Sequence, residues 1–251
     1  MDDFGVPLGR WFGIPIVLHW SWVLICGMFA VSDPKFAMVY ASVFFIVLLH
    51  ELGHCFANKC FNMHVEKILI YPFGGVASME LPQKAYQEAI MAIAGPFVNV
   101  LLIPPLFLLK NSFPNESSLS QIFNVNFMLL VFNLLPAFPM DGGRVLRSLL
   151  AMWWNDHIQA TVVAARIGQF FCILFGVVGF MYGNFMLAII GGVIFLFAER
   201  ELQLALNTKR IKHLHSIATD SPYSTTSENE ISKSAKMLEE IQRKTSFLDA
   251  D

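Results

Sequence analysis

Long apolar runs almost free of Asp, Glu, Lys and Arg recur between Ile14 and Leu202, and no other feature constrains the fold so strongly. Only 14% of the 251 residues are charged, against 55% hydrophobic. A soluble domain carries roughly a quarter charged residues. Repeated runs of this kind point to several membrane helices, each needing about 20 residues to cross ~30 Å of hydrocarbon. Six spans are predicted: about Ile14–Val31, Ala37–Cys60, Glu88–Leu109, Leu119–Pro136, Thr161–Met181 and Phe185–Leu202. Ser32-Asp33-Pro34, the Lys110–Ser120 loop, the polar Asp141–Gln159 region and Tyr182-Gly183-Asn184 mark the breaks.

Between the second and third spans, VEKILIYPFGGVASMELPQ leaves the helical pattern. Val65, Ile68, Ile70 and Tyr71 favour strand, and Phe73-Gly74-Gly75 is a turn signal. The expected fold is therefore an all-α polytopic membrane protein of about six transmembrane helices, with a small re-entrant β-hairpin between the second and third. Non-helical backbone at membrane depth has to be satisfied by protein or by a water-filled cavity.

With six spans, Arg10, Lys59, Lys67, Lys84, Arg144, Arg147, Arg166 and Arg200 share one side with both termini, while the other side receives only Lys35 and Lys110. The positive-inside rule then places both termini in the cytoplasm of a multi-pass cell-membrane protein. The acidic start, MDDFGVPLGRW, lacks a basic n-region, so no cleaved signal peptide is expected. The net charge of −2 gives no sign of a nucleic-acid partner. Cys26, Cys55, Cys60 and Cys172 show no CxxC pairing, against a disulfide framework or a Cys-type zinc site. From Asn207 the composition turns polar, which divides the chain into a membrane domain over 1–206 and a cytoplasmic tail over 207–251. Ser227 and Glu230 form a capping box there, and Ile231, Ala235, Leu238 and Ile241 line one face of a short helix.

His50-Glu51-Leu52-Gly53-His54 closes the apolar run ASVFFIVLL. Residues i and i+4 share a helical face, so both imidazoles reach one ion, and Glu51 falls beside them as a general base. Ionisable groups at that depth are costly and mark function. A catalytic zinc takes three protein ligands and keeps one position open. Asp141, in NLLPAFPMDGGR after the fourth span, supplies the third. The second and fourth spans run in the same direction. His50 comes 13 residues after Ala37 and Asn133 comes 11 after Ile122, so both reach roughly 20 Å into the bilayer. Pro136 and Pro139 break the helix near that depth. Taken alone, Asp-Gly-Gly would read as a turn.

Other polar groups carry two readings. Asn133 fits either an oxyanion donor or an interhelical hydrogen bond. Asn99, after Gly95-Pro96, fits either packing or support of the site, and Gly95 permits close helix approach. His19 suits an interfacial or packed group better than a ligand. His64, His157, His213 and His215 lie in polar segments, and Glu199 and Glu201 close the sixth span. One zinc per chain is expected, since a His₂Asp set with an open site suits that ion best. A divalent-metal transporter is the alternative, because intramembrane His and Asp also line ion paths, although the fifth and sixth spans offer few further polar groups.

These motifs together resemble the site-2 protease family of intramembrane metalloproteases (peptidase family M50), over about Gly5–Leu206. His50–His54 matches its HExxH. Asn133–Gly143 is similar to its second motif, with an asparagine eight residues before the aspartate and Asp-Gly at the end. Gly95-Pro96 with Asn99 resembles its third-span pattern, and Phe73-Gly74-Gly75 its hairpin turn. The resemblance implies zinc-dependent regulated intramembrane proteolysis of a single-span membrane protein. It implies that Asn133 positions the substrate or stabilises the oxyanion. It also implies that substrate adds as a strand near Val76-Ala77-Ser78. The loops are short, with no PDZ-like insertion in view.

Overall fold

The computed structural model describes residues 5–72 and 74–219. Phe73 of the expected turn, the Ser227–Glu230 capping box and the helix proposed to follow it lie outside the described residues.

The chain opens as a hairpin, β1 (Gly5–Trp11) with β2 (Ile14–His19), turned through Phe12 and Gly13 at φ 51° and 78°. β2 pairs in parallel with β3 (Val65–Tyr71), Ile16 opposite Ile68, and β3 pairs antiparallel with β4 (Gly74–Met79). The sheet order is β1-β2-β3-β4. The strands expected between the second and third spans are therefore half of a larger sheet. The other half corrects the first predicted span. Ile14, Ile16 and Leu18 are buried and alternate with half-exposed Pro15, Val17 and His19, a period of two that hydrophobicity alone concealed. Only α1 (Trp20–Ser32) remains helical there.

Asp33 ends α1 and caps α2 (Pro34–Cys60), its carboxylate accepting from the Lys35 and Phe36 amides, with Pro34 in the first helical position. α3 (Ala85–Ser112) and α4 (Ser117–Asn133) follow, then α5 (Asp141–Trp154), α6 (His157–Met181) and α7 (Phe185–Thr219). The segment 141–159, expected as a polar break, is largely the helix α5. α7 continues past Leu202 to Thr219, so the polar tail begins inside a helix. The observed architecture is mostly helical with one small sheet. Among the described residues, three helices, α2, α3 and α6, are long and apolar enough to cross a membrane.

The fold divides into two units. The first comprises the chain up to Leu135 with Met140–Val145, and the second comprises Pro136–Pro139 with the chain from Leu146. In the first, Ile14, Ile16, Ile68 and Ile70 of the sheet pack on Phe44, Leu48 and Leu52 of α2. Val39 and Ile46 of α2 meet Ile122 of α4 and Leu102 of α3. In the second, Phe138 packs with Ala164 and Ala165 of α6 and Ala198 and Leu202 of α7. α6 and α7 approach backbone to backbone, since a methyl on Gly191 would lie 2.9 Å from the Cys172 carbonyl oxygen. Large apolar side chains also point outward along the helices, among them Leu101, Phe170 and Leu196, 57%, 65% and 69% exposed. That inversion suits lipid rather than water as the surrounding solvent.

Candidate metal centre

His50 and His54 lie one turn apart on the buried face of α2. Gly53 lets α3 come close, since a Cβ there would sit 2.6 Å from the Ala94 carbonyl oxygen. Gly95 faces the two imidazoles. A methyl on Gly95 would lie 2.8 Å from His50 Nε2 and nearer still to His54 Nε2, so the rings occupy the space that any other residue would fill. Asp141 opens α5 and is 8% exposed. Gly142 beneath it is required by crowding, because a Cβ would collide with the Leu134 and Leu135 carbonyls.

Three atoms converge. His50 Nε2 and His54 Nε2 are 3.1 Å apart, and Asp141 Oδ2 is 3.2 Å from the first and 3.3 Å from the second. Zinc bonds of about 2.0–2.1 Å in tetrahedral geometry require ligand atoms about 3.3 Å apart, close to these values. The protons decide what this cluster is. His54 Nδ1 lies 2.8 Å from the Met91 carbonyl oxygen, which only accepts, so Nδ1 carries the hydrogen. His50 Nδ1 lies 2.6 Å from Asn99 Oδ1 and likewise donates. Both Nε2 atoms then present lone pairs. Asp141 Oδ2 is buried and lies within 3.3 Å of both of these nitrogens. Two lone pairs and a carboxylate crowded together in a buried place repel one another, and one cation resolves all three. Among the described residues, this is the one group of at least three His, Cys, Asp or Glu side chains arranged to hold a metal.

Glu51 projects beside the histidines toward β4, where a Cβ on Gly75 would lie 3.0 Å from Glu51 Cγ. Asn133 is the last residue of α4 and is half-buried. Asn99 supports His50 rather than serving as packing alone. His19 caps α1, bonded to Ser21, and is not among the converging atoms. Glu199 accepts from Gln169 and Gln203, and Glu201 pairs with Arg147, which accounts for both outside any metal site. Two contributors are absent from the sequence reading. One is the Met91 carbonyl, which no side-chain pattern reveals. The other is Asn126, an amide in the apolar stretch FNVNFMLLVFN whose signal is the cost of burying it there.

A family model described as peptidase family M50 matches residues 38–124 and 111–175, a stretch holding His50, Glu51, His54, Asn133 and Asp141. The chain belongs to peptidase family M50. Within it, the chain is similar to a zinc metalloprotease of Methanocaldococcus jannaschii, 36% identical over 79% of this chain and 61% of that protein. It is similar to stage IV sporulation protein FB of Bacillus subtilis, 30% identical over 52% of this chain and 46% of that one. Its structure resembles the site-2 protease from Methanocaldococcus jannaschii, with TM-score 0.56 and 32% identity, over 79% of this chain and 95% of the other. The chain thus spans less than two thirds of the length of these two curated relatives, but nearly all of the solved protease chain.

Gly95→Ala provides an early check on the centre. The added methyl displaces both imidazoles, so zinc affinity is expected to fall by at least about tenfold, the low end for disturbing a ligand's surroundings. Chelator competition on the purified protein measures it. Unchanged affinity would contradict the position given to the rings.

Proposed function

We propose that this M50 chain is an intramembrane zinc endopeptidase that hydrolyses peptide bonds in or near the transmembrane segment of a single-span membrane protein. The observation that carries the reading is the convergence of His50 Nε2, His54 Nε2 and Asp141 Oδ2 within 3.3 Å of one another, with Glu51 adjacent in sequence to His50. His50, His54 and Asp141 would hold one zinc ion. Zinc supplies an acidified water and polarises the scissile carbonyl. Glu51 accepts the proton of the attacking water and returns it to the departing amine. Asn133 donates a hydrogen bond to the oxygen that gains charge.

The sheet supports a way of presenting substrate. An unwound substrate segment offers unpaired backbone groups, and an open strand edge satisfies them. The sheet has two edges. β1 is blunted by Pro7 and by a bulge between Pro7 and Gly9, whereas β4 has no proline and lies beside Glu51. Substrate adds along Val76-Ala77-Ser78 of β4.

About six spans, both termini in the cytoplasm of the cell membrane, a protease domain over 1–206 and a polar tail over 207–251 complete the proposal. Its support is the Lys and Arg distribution together with the three apolar helices. The metal-transporter reading is not favoured, because the described residues show one metal-ligating group rather than a chain of them.

The test is cleavage of a panel of single-span substrates by the reconstituted chain, with mass spectrometry of the products. Scissile bonds within or beside the spanning segment are expected. Cuts confined to distant soluble loops would overturn the intramembrane reading. Asn133→Ala is expected to lower kcat about 10²–10³-fold with zinc retained. An unchanged kcat would remove Asn133 from the oxyanion role.

A further inference from the structure

Asn126 is wholly buried on α4, seven residues before Asn133. A primary amide inside a membrane helix is costly unless both its ends are bonded. Both ends are bonded to one residue, Asn99 of α3, and a single assignment of the amide atoms satisfies both bonds. The Asn99 backbone carbonyl only accepts, so the Asn126 atom facing it at 3.1 Å is Nδ2. Asn126 Oδ1 is thereby turned to the Asn99 side chain and accepts its Nδ2–H at 2.9 Å. Asn99 Oδ1 is left for His50, whose Nδ1–H it accepts at 2.6 Å.

With the Asn99 amide flipped, an NH₂ group would face His50 Nδ1. The imidazole would then carry its proton on Nε2, and that nitrogen could no longer act as a ligand. His54 has no such dependence, because its partner is the Met91 backbone carbonyl, which cannot flip. The two histidines are therefore oriented by unequal means, and only the His50 arm relies on side-chain amides.

We propose that Asn126 is a positioning residue of the metal centre: by fixing the Asn99 amide it fixes the His50 tautomer that leaves Nε2 open. Asn126 acts through two other residues, without contact to metal or substrate. The proposal rests on the reading of His50, His54 and Asp141 as ligands.

Asn99→Asp separates this role from mere packing. A carboxylate accepts from His50 Nδ1–H whichever way it turns, so it makes the orienting partner dispensable. The experiment is a double-mutant cycle on the full chain, reading zinc affinity by chelator competition and thermal stability alongside. In the wild-type background, Asn126→Leu is expected to weaken zinc about 10–100-fold, the range for loss of a supporting hydrogen bond. In the Asn99→Asp background the same change is expected to cost less than about threefold, close to additivity error. If Asn126→Leu does not accumulate, Asn126→Ala serves in the same cycle. Equal losses in both backgrounds, tracking stability, would overturn the proposal in favour of a packing role. Zinc held as tightly by Asn126→Leu as by the wild type would overturn it while leaving the ligand set intact. A wild type that binds no zinc would overturn the ligand set and the proposal together.

Discussion

Asp141→Ala is expected to empty the metal centre and end hydrolysis altogether. The carboxylate is the one anion among the three converging groups, lying 3.2 and 3.3 Å from the two imidazole nitrogens. Without it, two neutral rings face a divalent cation in a buried site, with no protein charge to offset the loss of water. Changes one step removed from a metal typically cost 10–100-fold in affinity, so loss of the charged ligand itself should exceed about 100-fold. Zinc content is expected to fall from one per chain to a trace after dialysis, with helix content unchanged by circular dichroism. Full retention of zinc would move the third ligand elsewhere and sever the second motif from the chemistry.

Glu51→Gln is expected to separate binding from catalysis. Glutamine keeps the shape and the contact toward Gly75 but accepts no proton at the pH of the reaction. Glu51 is not among the three converging atoms, so one zinc per chain should remain. Hydrolysis should fall by about 10²–10⁴-fold, the usual contribution of a positioned general base. Single-turnover cleavage beside a zinc assay on the same sample gives both numbers. Residual activity near the wild-type rate would exclude Glu51 as the base. Loss of zinc in this variant would show that Glu51 also helps hold the metal.

The pair of predictions also marks how far the sequence reaches. His50, Glu51 and His54 are legible because helical spacing places three ionisable groups on one face of an apolar run, where they are expensive without a function. Asp141 is legible through the depth expected from counting residues along the second and fourth predicted spans. The structure places the Asp141 carboxylate 3.2 and 3.3 Å from the two imidazole nitrogens. α2, α3 and α6 emerge near their expected limits because length and apolarity are both read directly.

The β1–β2 hairpin was not legible as such. Ile14–Leu18 is apolar enough to extend the following helix, and its partner, β3, lies some fifty residues away in sequence. Strand pairing across that distance leaves only an alternation too short to outweigh a continuous hydrophobic run. α5 was hidden for the opposite reason: its polar residues read as a break, whereas Asp141 and Ser148 lie buried in a helix that turns Leu149, Met152 and Trp153 outward. The supports of the site were legible only in part. Asn99 stood out beside Gly95-Pro96, but its direction depends on Asn126, and His54 depends on a backbone carbonyl that no residue type announces.

The central claim is that this metal centre cuts peptide bonds. The most direct measurement follows cleavage of a single-span substrate by the wild-type chain in lipid vesicles, before chelation, after it, and after zinc is restored. The expected result is cleavage that disappears with the chelator and returns with stoichiometric zinc. A zinc-loaded chain that leaves every substrate intact, yet carries zinc across the same vesicles, would contradict the account and make the centre a transport site.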